Sequence, residues 1–232
     1  PVLDHPVQIL NKKLTIRAEN GFRPQIEFIA QEILSEGYQT HMITVSGGSV
    51  DLFNVDLVVH VDDEIELNEN QRWALFSIHD ADRVKLDGVN ITIANPTAKP
   101  AVVMLLTPRS GPAKMKVKMM KTGMPVGNPD ERFEVLVRKS FISGNCETFY
   151  IGLNSPGRID INHAVIAVDQ SLLVVAGNST GDMPPQNASL DLKLEHVTCL
   201  IGNGLIRMES GDQPRELLPV YVSADKIGRA HL

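Results

Sequence analysis

The chain has 232 residues and a mass of 25.5 kDa, room for one large domain or two small ones. Apolar residues supply 43% and aromatics only 5%, so the core is aliphatic, and 22 basic against 28 acidic residues give a net charge of −6, which disfavours a nucleic-acid binder as a whole-chain description. No apolar run approaches the ~18–20 residues that span a bilayer, no signal peptide is read at the start (a cytoplasmic setting is slightly favoured), and Cys146 and Cys199 are too few for a disulfide scaffold.

The first predicted element is a helix over roughly Gln25–Leu34, confined by Pro24 and Gly37. From there on the pattern is strand-like. Val50, Leu52, Val55, Leu57 and Val59 are apolar in an uneven spacing that reads as two short strands joined by a two-residue step. The same spacing returns at Val84, Leu86, Val89, Ile91 and Ile93. It recurs at Ile159, Ile161, Ala164, Ile166 and Val168, and at Leu192, Leu194, Val197, Cys199 and Ile201. A degenerate copy runs through Val135, Val137 and Ile142, with Ser140 in its third slot.

A third strand accompanies most copies: Met42–Val45, Trp73–Ile78, Phe149–Leu153, Leu172–Val175 and Leu205–Met208. Copies of one strand template at variable intervals predict a solenoid in which loops absorb insertions. The fold class expected is all-β, a right-handed parallel β-helix of about six coils with inserted loops, a rod ~30 Å long at ~4.8 Å per rung. A β-sandwich is the competing fold, but it predicts hairpin dipeptides, and Asp87-Gly88 falls inside the template. The second residue of each step is Asn54, Gly88, Lys139, His163 or His196. Gly, Asn and His accept positive φ readily, so His163 and His196 read as corner residues before they read as a metal or acid–base pair; Lys139 alone departs from the pattern.

The organisation predicted is a lead-in over 1–13, a β-helix over 14–225 and a tail over 226–232. A start at Pro1 reads as a fragment or a processed product. The tail Ile227-Gly228-Arg229-Ala230-His231-Leu232 resembles a translated sequencing adapter up to its final residue; an ordinary tail is the alternative, and no function is attached to Arg229 or His231.

Leu14-Thr15-Ile16-Arg17-Ala18, Leu86-Asp87-Gly88-Val89-Asn90-Ile91-Thr92, Leu194-Glu195-His196-Val197-Thr198 and Gly204-Leu205-Ile206-Arg207-Met208 together carry a resemblance. The region from Leu14 to Ala224 resembles the pectin-lyase-like β-helix of large planctomycete serine/threonine protein kinases. The resemblance implies a kinase domain elsewhere in a longer bacterial chain and adjoining domains as partners. This chain has none of the kinase motifs: no glycine-rich phosphate loop with a strand lysine, no His-Arg-Asp and no Asp-Phe-Gly.

The sharpest surface feature is a basic insertion. Arg109, Lys114, Lys116, Lys118 and Lys121 occur without an intervening acid, the lysines alternating with Met115, Val117 and Met119. That pattern fits a candidate anion-binding strand for an acidic glycan or protein partner, or an edge strand whose lysines block unwanted pairing. Aromatics do not interleave with the lysines, so nucleic acid is not expected as a partner. The run Asp62-Asp63-Glu64-Ile65-Glu66 reads as a solvated loop in preference to a calcium site. Asp80/Asp82 and Asp56/Asp160 are the pairs that could act as general acid and base in glycoside chemistry. Cys199 falls on an inward position, and Cys146 sits in a turn without a histidine partner nearby. Asn90, Asn178 and Asn187 match glycosylation acceptors with no secretion signal to support their use. No metal-binding cysteine pair, nucleophile elbow or dinucleotide fingerprint occurs, so no catalytic residue, metal or cofactor is expected. The reading is a non-catalytic scaffold or ligand-binding module; the alternative is a polysaccharide-active enzyme or its inert remnant.

Overall fold

The computed structural model describes residues 2–3, 5–29, 40–61, 67, 71–79, 81, 83–107, 132–152, 156–177, 188–209 and 217–229. Among them the chain is all-β, without a helix. The first strands are β1 (Val2–Leu3), β2 (Val7–Arg17), β3 (Gln25–Ile29), β4 (His41–Phe53), β5 (Asp56–His60) and β6 (Trp73–His79). Then come β7 (Arg83–Asp87), β8 (Asn90–Ala94), β9 (Ala101–Thr107), β10 (Phe133–Arg138), β11 (Phe141–Gly144) and β12 (Glu147–Ile151). The last six are β13 (Gly157–Val168), β14 (Ser171–Ala176), β15 (Leu190–Ile201), β16 (Gly204–Glu209), β17 (Val220–Asp225) and β18 (Gly228–Arg229).

Every described strand pairing is parallel, and successive strands in the chain belong to three ladders in rotation. The first ladder joins the C-terminal halves of β2 and β4 to β7, β10, the N-terminal halves of β13 and β15, and β17. The second runs β1, β3, β5, β8, β11, the C-terminal halves of β13 and β15, and β18. The third joins the N-terminal halves of β2 and β4 to β6, β9, β12, β14 and β16. The sheet is open, and the architecture is consistent with a parallel β-solenoid. β1 and the start of β2 place the sheet's first strands within residues 1–13, and Gly228–Arg229 of the tail pair with β15.

The predicted template is the origin of the core. On the first ladder Leu14, Val50, Val84, Val135, Ile159, Leu192 and Val222 share one register line. On the third, Phe76, Met104, Phe149 and Leu173 do the same, each fully buried. Each such Val, Leu or Ile contributes about 1.5–3 kcal/mol on burial, and like-sized side chains stack rung upon rung without gaps.

The corners form a column of their own. Asn54, Lys139, His163, His196 and Lys226 have φ between 48° and 55°, and Gly88 has 67°. Lys139, the exception expected from residue preference, adopts the left-handed turn as well. Pairing on both sides fixes its neighbours, and that outweighs the ~1–2 kcal/mol such a conformation costs a non-glycine residue. Gly88 is needed for a second reason: a Cβ there would lie 2.3 Å from Asn54 Oδ1 in the preceding corner.

Ser140, in the slot other copies fill with Val or Ala, is buried because it is satisfied: its hydroxyl donates to Arg138 O at 2.7 Å and accepts from Val89 N at 3.1 Å. The predicted helix over Gln25–Leu34 is corrected. Gln25–Ile29 form β3, paired with β5, while residues 30–34 lie outside the described set. Asp56 N donates to Pro24 O at 2.9 Å and starts the ladder, and Phe28, stacked beside Val59, is 1% exposed while Ile29 is 42% exposed. A period of two beside a paired strand thus overrides the short helical pattern.

Candidate functional site

The third ladder carries the densest polar constellation on its outward side. Arg72 precedes β6, Glu147 opens β12, and Tyr150 shares a register line with Val174 and Arg207, two residues before Glu209. Arg72 Nη1 donates to Glu147 Oε2 at 2.7 Å, and Arg207 Nη2 donates to Glu147 Oε1. Arg207 Nη2 also reaches Glu209 Oε1 at 2.7 Å, and Tyr150 OH donates to Glu209 Oε2 at 3.1 Å. The Arg72 guanidinium lies 3.7 Å from the centre of the Tyr150 ring, a stacked cation–π contact.

Two arginines and two glutamates thus close on one another. The Glu147 side chain is only 7% exposed. Burial pushes its carboxyl above the usual range, and the attraction of Arg72 and Arg207 opposes that rise without cancelling it. Burial also raises the Tyr150 phenol, with the nearby Glu209 adding to the effect and Arg72 opposing it. Arg207 is lowered by burial but raised more by Glu147 and Glu209, so it stays charged. Both Glu147 oxygens are engaged by guanidinium groups, which makes the cluster a clamp between rungs.

Further along the same ladder, His79 Nε2 lies 3.0 Å from Ser77 Oγ and its Nδ1 lies 2.6 Å from Thr107 Oγ1. A Ser–His contact evokes nucleophilic catalysis, yet Ser77 is fully buried and meets no solvent. His41 is held below its ordinary pKa by burial and by the neighbouring His79, so it packs as the neutral imidazole.

The first ladder's outer side is an alternation of charge. Arg83, Glu134, Arg158 and Asp191 follow one another in register. Arg83 pairs with Asp51 at 2.7 Å, Arg158 with Asp160 at 3.0 Å and Lys193 with Glu195 at 3.0 Å. Each exposed pair contributes at most ~1 kcal/mol, but a two-residue slip, which keeps the faces in place, would set Arg158 beside Lys193 and Asp160 beside Glu195, so the pattern helps to pin the register.

The sequence candidates distribute as follows. Arg109, Lys114, Lys116, Lys118 and Lys121 lie outside the described residues, as do 62–66, Asp80, Asp82, Asn178 and Asn187. Asp56 and Asp160 are not brought together: Asp56 sits on the second ladder paired with Arg23 at 2.6 Å, and Asp160 on the first with Arg158. His163 and His196 are adjacent corners whose rings stack at 4.5 Å and 20°. Cys199 is in the core, and Cys146 is fully buried with its thiol pushed up to about 12 by burial and by Glu147 and Asp169, so it is not a nucleophile at neutral pH. Among the described residues no three His, Cys, Asp or Glu side chains group as metal ligands, and no helix is long and apolar enough to cross a membrane.

The Arg72–Glu147–Arg207 cluster escapes sequence reading because its partners are 75 and 60 residues apart. The available signal was parity: Tyr150 and Arg207 hold outward positions of predicted third strands, and Glu209 follows the second of these strands at the same parity. Compared with protein-family models, curated proteins and solved structures, the chain gives no match.

Proposed function

We propose that this chain is a non-catalytic β-helix module, a scaffold or ligand-binding region of a larger, kinase-associated signalling protein. Its strands would coil right-handedly, the hand that parallel crossovers take almost without exception, in about six coils. The observation that carries this reading is the pairing of acids with bases: Asp51, Asp56, Asp160, Glu147 and Glu195 each meet a cation, which leaves those carboxylates engaged in structure. Acidic glycans or acidic proteins are the expected partners, met by Arg109, Lys114, Lys116, Lys118 and Lys121.

One observation favours a second reading, a polysaccharide-active enzyme or its inert remnant. Glu147 and Glu209 converge with Tyr150 and two arginines, and Glu147 is shifted toward the protonated form that a general acid requires. A glycan array with a reducing-sugar assay separates the two. The scaffold reading expects salt-sensitive binding of acidic glycans or proteins without turnover, weakened when Lys114, Lys116 and Lys118 are changed to Gln. Turnover that Glu147→Gln abolishes would replace the scaffold reading with the enzymatic one.

A further inference from the structure

The corner between β10 and β11 departs from its neighbours on the outer side. Arg138 stands on a register line whose other members from Phe53 to Asp225 are Asp87, Asn162 and Glu195. Phe141 is the aromatic member of a line that otherwise reads Gln25, Asp56, Asn90, Val165 and Thr198 from β3 to β15. Between the two, Lys139 turns at φ 48° where the adjoining corners place Gly88 and His163. The corner is held firmly: Lys139 N donates to Asn162 O at 3.1 Å, Phe141 N to Val89 O at 3.0 Å, and the Ser140 hydroxyl is bonded on both sides.

None of the three side chains serves the interior. Phe141 is 40% exposed, Arg138 and Lys139 are exposed, and among the described residues neither cation has an ion-pair partner. Asp87, beside Arg138 in register, is held by Lys85 at 3.3 Å, and Glu195 by Lys193 at 3.0 Å, so the positive charge of the corner is not cancelled locally. Around the turn, the outward positions of β8, β11 and the second half of β13 carry no charge, and Phe141 continues there into half-buried Val165 and Ala167. Two unpaired cations therefore adjoin an apolar strip on a preformed surface. Residues set against local preference without a gain inside the fold mark a surface kept for contact.

We propose that this corner docks a segment of a partner protein that carries acidic residues beside apolar ones, its carboxylates on Arg138 and Lys139 and its apolar side chains on Phe141, Val165 and Ala167. Charge complementarity calls for the acids, and an aromatic ring beside an arginine is the combination that anchors protein interfaces. The apolar strip selects peptide side chains over a sugar, whose hydroxyls would find no partner on Val165 and Ala167. Described strands flank the corner on both sides, β7 and β8 before it and β13 after it, so the surface does not depend on where the chain begins or ends. The inference goes beyond the scaffold reading, because it uses none of the residues from Arg109 to Lys121.

The test is panning of a random-peptide phage library against the 232-residue chain, followed by fluorescence polarisation of the enriched peptides, with circular dichroism to confirm that each variant is folded. Enriched sequences should combine Asp or Glu with Leu, Val or Phe, and their binding should weaken in raised salt. Arg138→Gln and Phe141→Ser should each weaken binding by about tenfold, the effect of losing one anchor residue. Lys139→Asn should also weaken binding while leaving thermal stability unchanged or higher, because Asn suits the positive φ better than Lys does. Changing Lys114, Lys116 and Lys118 to Gln should leave the peptides bound. Binding lost there but kept in Arg138→Gln would place the contact in the basic insertion, overturning this proposal and sparing the scaffold reading. No enrichment, peptides that bind the Arg138→Gln and Phe141→Ser proteins as tightly as the parent, or acidic glycans as the sole ligands of this corner would overturn it as well.

Discussion

Phe149→Ala should lower the unfolding free energy by about 3–5 kcal/mol, the usual cost of emptying a fully buried aromatic site. Phe149 is 0% exposed and lies between Met104 and Leu173 on one register line, so its ring is covered above and below as well as from the core. Neighbouring rungs are held apart by backbone pairing and cannot collapse into the gap, which puts the loss at the upper part of that range. Ile206 stands on the same line at the exposed edge, and truncating it should cost distinctly less. Urea unfolding of both variants checks the contrast. Equal losses would mean that stability does not depend on how many rungs cover a side chain.

Glu147→Ala is expected to cost about 3 kcal/mol, because it strands two guanidinium groups that the folded chain holds against it. Arg72 suffers most: its side chain is 16% exposed, and Tyr150 covers its face. Glu147→Gln should be milder, since an amide oxygen still accepts one of the two hydrogen bonds. Replacing Arg72 and Glu147 together by Met and Leu should recover most of the loss, because an apolar pair of similar volume needs no compensation. Thermal unfolding of the single and double variants gives the coupling. A Glu147→Ala protein as stable as the parent would show that the clamp contributes nothing.

The inner face of the fold was legible because the rung repeats one uneven apolar spacing, and burial requires that spacing wherever a strand turns a tight corner. His163 and His196 could be read as corners for the same reason: their position in the template says more than their chemistry. β3 is ambiguous in sequence because Ile26, Phe28 and Ile29 satisfy a helical stripe as well as an alternation, and only the pairing with Asp56–His60 decides between them. β9 is not legible because its residues from Ala101 to Leu106 are all apolar, with Val103 and Met104 buried side by side, and leave no alternation to detect. Arg72, Glu147 and Arg207 could not be grouped in advance, since ladder register brings them together and local sequence does not encode it. The basic insertion was legible as composition alone.

Successive template copies lie directly on one another in parallel. His163 and His196 stack ring on ring, and adjacent rungs lie ~4.8 Å apart, within the Cα separation that a disulfide spans. The double substitution His163→Cys, His196→Cys, oxidised in the folded state and weighed intact, tests that directly, because Cys146 and Cys199 are buried and stay out of the reaction. Parallel stacking of the two copies requires that an intramolecular disulfide join the two corners. Two free corner thiols after oxidation of the folded chain would mean that the two corners are not stacked.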